Sequence, residues 1–398
     1  MTKQERIILI LLASINFTHI LDFMIMMPLG NFLMPHFNIT PHQFTLIVSS
    51  YSYAAFATGI VAAFFVDRFD RKKVLLFGYT GFIIGTILCG LAPTYLLLIA
   101  ARTMAGLFGG LIGAQVLSIV ADSFAYEKRG RAMGYLMSAF SIASVIGVPF
   151  SLYLAKLFSW HAPFIFVGAL GLLIVPIVIR YMPAMNTHLI SKAERPDTMD
   201  IINNLFSNKQ QLIALGFSAF LIMGHFLIIP FINPYMEFNV GFTKDQTPLI
   251  YMVGGAATLI SAPLFGKMAD KFGKLRVFTI CAILSLVFVF AITNMTALNF
   301  YFVLLIMGLW FVTTNGRTIA SQALISNVVN SSQRGSFMSF NSSIQQAFIG
   351  SASIIAGYIV QNDGHNKIVH YNWVGYLSLL IIGSCIYIGF RLGERKVD

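Results

Sequence analysis

The chain is short of charge. Of its 398 residues, 26 are lysine or arginine and 15 are aspartate or glutamate, so charged residues make up 10%. An average soluble domain carries roughly 25%. Hydrophobic residues make up 57% and aromatics 14%. A soluble protein of this length needs more polar surface than that. Soluble multidomain enzymes and disordered or fibrous chains are therefore excluded, and the apolar excess must face lipid. Cysteine is also scarce. Cys89, Cys281 and Cys385 lie in apolar stretches, and there is no Cys-x-x-Cys pair. A disulfide framework or a zinc site is not expected, and such thiols suit inert packing. No His-Glu-x-x-His and no Gly-x-x-x-x-Gly-Lys-Ser/Thr loop occurs, so neither zinc-protease chemistry nor nucleotide binding is expected. The reading is of a chain that is not an enzyme, carries no metal or other cofactor, and draws energy from a gradient or a partner.

What the chain has is apolar runs. A bilayer-crossing helix needs about 20 mostly apolar residues. Such spans are expected at 7–28, 43–66, 74–92, 96–120, 133–155, 162–181, 211–235, 248–268, 276–295, 299–323, 337–360 and 373–390. That makes twelve, and an all-α membrane protein. The first is too long for a signal peptide and is read as an uncleaved helix.

The formal net charge of +11 then finds a meaning. One set of loops, with the two ends, holds 21 cations, the opposite loops hold Lys156, Lys244 and Lys367, and Arg102 and Arg317 fall inside spans. A split of 21 to 3 is a positive-inside signal. It places both termini in the cytoplasm and argues against a nucleic-acid surface. The expected location is the plasma membrane, as a multi-pass protein. The lipid bilayer and a small-molecule substrate are the expected partners, and a monomer is the expected state.

The chain also repeats itself. Asp67-Arg-Phe-Asp-Arg71 after the second span matches Asp270-Lys-Phe-Gly-Lys274 after the eighth, at an offset of 203. Arg129-Gly-Arg-Ala-Met133 matches Arg334-Gly-Ser-Phe-Met338, at an offset of 205. A parallel duplication with a solute site between its halves is a transporter architecture. Expected domains are a six-helix bundle at 1–180, a cytoplasmic linker at 181–210 and a second bundle at 211–398. Within the linker, 199–206 reads either as a short amphipathic surface helix or as irregular chain.

At these residues the sequence resembles the major facilitator superfamily. Asp67, Arg68, Arg71 and Lys72 fill that family's loop motif, and Gly266, Asp270, Lys271, Gly273 and Lys274 fill its second copy. Ala63 and Asp70 stand where the first copy usually has glycine. Arg102-Thr-Met-Ala-Gly106 is similar to the family's Arg-x-x-x-Gly element, and Gly147-Val-Pro149 to the proline motif of drug:proton antiporters, without its flanking glycines. With Trp160 to Phe164 and Asn341 to Gln346, the pattern resembles 12-span drug or sugar efflux antiporters. The resemblance implies proton-coupled efflux of a small amphipathic compound by rocker-switch alternating access. The alternative is a proton symporter or uniporter for a sugar, metabolite or lipid. The resemblance also implies that Asp67, Arg68, Arg71, Asp270, Lys271 and Lys274 latch the halves, and that Gly147 and Pro149 form a hinge.

Ionisable groups inside a membrane are costly and are functional hypotheses by default. Here they are His19, Asp22, Arg102, His225 and Arg317. Asp22 and Arg102 each lie roughly 9 Å from the outer face at about 1.5 Å per residue, so they are expected to pair. His225 stands at the same offset of 203 from Asp22, and these three are the expected proton-coupling residues. A purely structural pair, or a packing role for the histidines, is the competing reading. Expected cavity residues are His19, Tyr51, Tyr53, Gln115, Asn233, Tyr235, Arg317, Gln345 and Gln346.

Overall fold

The structure, a computed structural model, describes residues 2–65, 68–124, 126–186, 207–329, 334–363 and 367–393. α1 (Lys3–Met26) opens at a reciprocal cap: Thr2 Oγ1 accepts from the Glu5 N–H and the Glu5 carboxylate accepts from Thr2 N–H, satisfying two donors that a helix start leaves free. The short α2 (Gly30–Phe37) ends at Asn38, in the left-handed conformation at φ 52°. α3 (Pro41–Phe65) and α4 (Arg71–Leu91) follow, the latter capped by Asp70, whose carboxylate accepts from the backbone of Lys72 and Lys73. α5 (Tyr95–Ser123) is capped by Thr94. α6 (Tyr126–Ile142) and α7 (Val148–Leu157) are joined by a π-helical turn, Ala143–Gly147. α8 (His161–Tyr181) completes the first series.

The π-turn has a local cause. Pro149 has no N–H, so a regular α ladder is broken there. The Val148 N–H reaches back five residues to Ala143 O instead, the wider spacing of a π bulge. The expected single span at 133–155 is thus two helices with a widened turn between them.

The second series is α9 (Lys209–Tyr235), with a π-turn at Met236–Val240, then α10 (Thr247–Phe272), α11 (Lys274–Thr293), α12 (Phe300–Ser326), α13 (Arg334–Ile359) and α14 (Tyr371–Gly393). A two-residue antiparallel hairpin, β1 (Gln361–Asn362) and β2 (Ile368–Val369), precedes α14; neither it nor α2 was expected from the sequence.

Among the described residues, eleven helices are long and apolar enough to cross a membrane. The remaining segment, expected at 337–360, is the 26-residue α13. Ser342, Ser343, Gln345, Gln346, Ser351 and Ser353 leave it less apolar than the others. It packs along α3, and Gly59, Gly350 and Gly357 make room at three levels for Ser343, Tyr53 and Thr45.

Burial divides the molecule into two ends. At the end away from the chain termini, one continuous core joins Leu21, Met26, Phe44 and Trp160 to Phe231, Met236, Tyr251 and Trp310. At the end carrying the termini the cores are separate. One holds Ile8, Leu12, Leu75, Val120 and Val178, and the other holds Phe217, Val277, Ile325 and Leu392. The two series share one core at the far end, while at the termini end their cores are separate and the α3–α13 seam links them at Gly59 and Ser343.

Candidate functional site

α1 and α5 meet at an ion pair. Arg102 Nη1 donates to Asp22 Oδ2 at 2.7 Å, with the side chains 1% and 0% exposed. Buried charges need partners, and three neighbours add to this one. The Arg102 guanidinium lies 4.4 Å from the centre of the Tyr51 ring, a favourable cation–π distance. Tyr51 Oη and His19 Nε2 are 2.9 Å apart. The His19 ring meets Phe82 edge-on at 5.3 Å. Tyr51 reaches this position because α5 carries Gly109, where a Cβ would sit 2.5 Å from its hydroxyl. Asp22 Oδ1 and Arg102 Nε have no hydrogen-bond partner. The cluster is therefore a dry pair with one spare acceptor and one spare donor.

His225 is placed differently. The residues next to the repeat-related pair, Phe23 and Phe226, meet across the two series at 5.9 Å. The His225 ring itself packs on Trp310 at 5.4 Å and lines a small pocket with Arg317, Ser218, Ser321, Gln322 and Gln345. Asp22 and His225 are thus built into separate bundles, each against a helix of its own series, with the two phenylalanines meeting between the series.

Arg317 is 1% exposed. Its Nη1 donates to Ser285 Oγ at 2.9 Å, and its Nε has no partner. No carboxylate pairs with it among the described residues.

Other expected site residues are distributed as follows. Gln345 Nε2 donates to Ser218 Oγ at 2.7 Å. Gln346 Oε1 and both amide atoms of the buried Gln115 lack partners. Tyr53 bonds Ser351 at 2.8 Å at the α3–α13 seam and is 38% exposed. Asn233 and Tyr235, expected to line a cavity, lie instead in the fused far-end core. Asn233 donates to Pro28 O and accepts from Tyr251 Oη, while Tyr235 Oη donates to Met295 O at 2.7 Å. The reason is depth: they follow Pro230, in the part of α9 that has entered the closed end.

The expected latch is also specific in placement. Asp67 lies outside the described residues, as do 199–206 of the linker. Arg68 is exposed. Arg71 pairs with Asp122 of α5, within its own series. Asp70, beyond capping α4, accepts from Met185 N–H at 3.0 Å, tying the loop to the end of α8. Lys271 lies over Phe272, while Asp270 and Lys274 line a surface groove with Arg276. Pro149 lies in the first turn of α7, and a Cβ on Gly147 would meet Leu21. A Cβ on Gly255 of α10 would sit 2.9 Å from Val145 N, so the π-turn is a point of close contact between the series.

Contacts that the sequence did not reveal cross the far end. Lys156 pairs with Asp245, and Lys244 lies 4.6 Å from the Phe32 ring centre. Among the described residues no cluster of three His, Cys, Asp or Glu is positioned to hold a metal.

The Major Facilitator Superfamily pattern matches residues 12–226 and 215–397, so the chain belongs to this superfamily. It is a multi-pass membrane transporter rather than an enzyme. It is 25% identical to the Uncharacterized MFS-type transporter YceJ of Bacillus subtilis, over 94% of this chain and 93% of that one. It is 26% identical to Multidrug resistance protein 2 of the same organism, over 83% of both chains. Among solved structures, the D-xylose-proton symporter shares the fold at a TM-score of 0.75 and 17% identity, over 96% of this chain and 97% of that one. A bacterial homologue of the human lysosomal transporter Spinster, in an inward-facing unoccupied conformation, shares it at 0.72 and 14%, over 99% and 98%.

Proposed function

We propose that this superfamily member is a twelve-span, proton-coupled exporter of small amphipathic compounds, in the plasma membrane of a bacterial cell with both termini cytoplasmic. The bundles at 1–180 and 211–398 rock about the linker at 181–210, and one monomer suffices. The observation that carries the reading is the dry Asp22–Arg102 pair with its unpartnered Asp22 Oδ1. The loop-charge asymmetry supports the orientation. Efflux is supported by relatives named for multidrug resistance.

The chemistry follows from the geometry. With the far end fused and the termini end divided, this conformation is inward-facing. A proton placed on Asp22 Oδ1 neutralises the acid and weakens the charge-assisted bond to Arg102, a bond roughly twice as strong as a neutral one. Arg102 then keeps the Tyr51 ring and the neutral Cys89 thiol as neighbours, which compensate a buried guanidinium poorly. The α1–α5 contact loosens, and the balance between the two packings of the bundles shifts. Alternating access needs such a differential stabilisation of its two states. The π-turn at 143–147, pressed against Gly255, and the end of α9 that carries Pro230 and Pro234 supply places for helices to bend.

The test is reconstitution in vesicles with an acidic lumen and a fluorescent amphipathic probe outside. An antiporter accumulates the probe as protons leave, and Asp22→Asn is expected to abolish that accumulation while still permitting exchange down a probe gradient. Undiminished accumulation by Asp22→Asn would overturn the coupling role. Expulsion of probe from an acidic lumen would mean symport.

A further inference from the structure

We infer that the pocket between α9, α12 and α13 holds the anionic headgroup of the transported compound, making the solutes amphipathic anions. The inference rests on the transport reading above and names the substrate class of that same site.

It begins with Arg317. An ion of guanidinium size costs several kcal/mol to remove from water, recovered only with good partners. Arg102 in the first series has a carboxylate at 2.7 Å. Arg317, equally buried, has a neutral serine hydroxyl at 2.9 Å and a free Nε. Arginine is not deprotonated in proteins, so a net positive charge stands inside the second bundle. Its surroundings supply only neutral groups: Ser321, Thr318, Gln322, Gln345 and the His225 ring.

A second orphan lies in the same pocket. His225 Nδ1 is buried without a hydrogen-bond partner. Two nitrogens, one cationic and one able to donate, thus line one small space that Leu221, Ile222 and Ile325 also border. Its volume of about 30 Å³ is room for roughly two waters, the scale of an anionic headgroup and far below that of a whole solute. Aromatic side chains stand beside the pocket, where the remainder of a solute would meet them. The His225 ring is backed by Trp310 at 5.4 Å, and the next residue, Phe226, faces Phe23 across the two series.

A carboxylate or phosphate headgroup supplies the missing charge and strong acceptors for Arg317, while a cationic headgroup meets like charge in a poorly screened interior. The pocket therefore selects by sign, and the aromatic contacts select for an apolar body.

The experiment measures binding to the full-length protein in nanodiscs. Four probes share a naphthalene body: 1-naphthaleneacetate, 1-naphthyl phosphate, 1-naphthaleneethanol and a 1-naphthylmethyl trimethylammonium salt. Acetate and inorganic phosphate serve as free-anion controls. The two naphthyl anions are expected to bind at least about 10-fold more tightly than the alcohol, and the ammonium salt more weakly than the alcohol. Arg317→Gln is expected to erase the anion preference, and an unfolding midpoint in nanodiscs no lower than the parent's reports that the variant is folded. Arg317→Lys is expected to retain part of it. His225→Gln, which keeps the bulk of the side chain, is expected to weaken anion binding by a smaller factor and gives a readout should Arg317→Gln not fold.

Equal binding of alcohol and anions, or an unchanged preference in Arg317→Gln, overturns the inference. So does acetate or phosphate alone binding as tightly as its naphthyl counterpart, because the site then takes a free ion. Acid-lumen accumulation of the alcohol without that of the anions removes this inference and leaves proton-coupled export standing. Selective anion binding without gradient-driven transport does the reverse.

Discussion

Arg102 in the first half and Arg317 in the second are each 1% exposed, and the halves handle them in opposite ways. Arg102 is enclosed by Asp22, the Tyr51 ring and, one bond further, His19. Arg317 has a serine hydroxyl and a small polar pocket. Duplication has left the helices alike and the electrostatics different: Asp22 has His225 as its repeat-related counterpart, and His225 carries no fixed negative charge. The first half is internally neutralised at its centre and the second is not. A self-neutralised pair responds to a proton, whereas an unneutralised cation responds to an anion. On the reading proposed above, one fold copied twice would offer one half to the driving ion and the other to the solute.

The largest effect that would break this contrast is loss of one partner from the pair. Asp22→Ala strands Arg102 and should destabilise the protein by about 3–5 kcal/mol, read as a lowered midpoint of thermal unfolding in nanodiscs. Arg317→Met removes a charge that has no counter-ion among the described residues, so it should leave that midpoint unchanged or raised. If the two variants fall together, the halves do not differ as argued.

Next in size is helix approach. A Cβ on Gly106 would lie 2.2 Å from the Tyr51 backbone oxygen, which cannot rotate away. A Cβ on Gly308 would lie 3.3 Å from a valine methyl group. Gly106→Ala should cost about 1–3 kcal/mol, an overpacking cost, and Gly308→Ala clearly less. Equal losses would show that both halves yield equally at these seams.

The turn before the third and the ninth expected spans is a smaller contrast. Asp70 caps α4 with its side chain, and Asp70→Ala should cost about 1 kcal/mol. Its repeat counterpart, Gly273, has no side chain and turns the chain at φ 94°. Gly273→Ala should cost about the same, through backbone strain instead. A helix-content measurement on each variant during unfolding separates a lost cap from a strained turn.

The smallest effect is at the far end. The Lys156–Asp245 pair is well exposed, so Lys156→Ala should change stability by less than about 1 kcal/mol. Because it joins the two series, it should still raise labelling of a cysteine placed at Met27, a residue buried in the closed end. Unchanged labelling would show that this pair does not help hold the far end shut.

Much of this was legible in the sequence because a membrane forces it to be. Helix positions follow from apolar runs, since lipid offers no partner for free backbone groups. The Asp22–Arg102 pairing was legible because two charges at one depth in an apolar chain have few other partners. Asn233 and Tyr235 were misplaced because residue type shows polarity, while assignment to a cavity or to a closed core depends on which conformation packs around them. The contacts of Lys156 and Lys244 were hidden for a related reason. Loop charges mark a side of the membrane and do not show which partner lies opposite. Phe23 and Phe226 stand at the repeat offset that was already in view, and phenylalanine in an apolar run gives no signal of its own.

By itself the sequence determined that the chain lies in a membrane, the approximate helix positions, its repeat, its superfamily features and a shortlist of five buried ionisable groups. These depend on solvation and on spacing along the chain, which are local properties. Only the tertiary structure decided that one arginine is neutralised and the other left open, and that His225 belongs to the pocket of Arg317. It also decided that the helices fuse at one end and divide at the other. Those outcomes depend on which side chains meet across tens or hundreds of residues, which apolar periodicity does not encode.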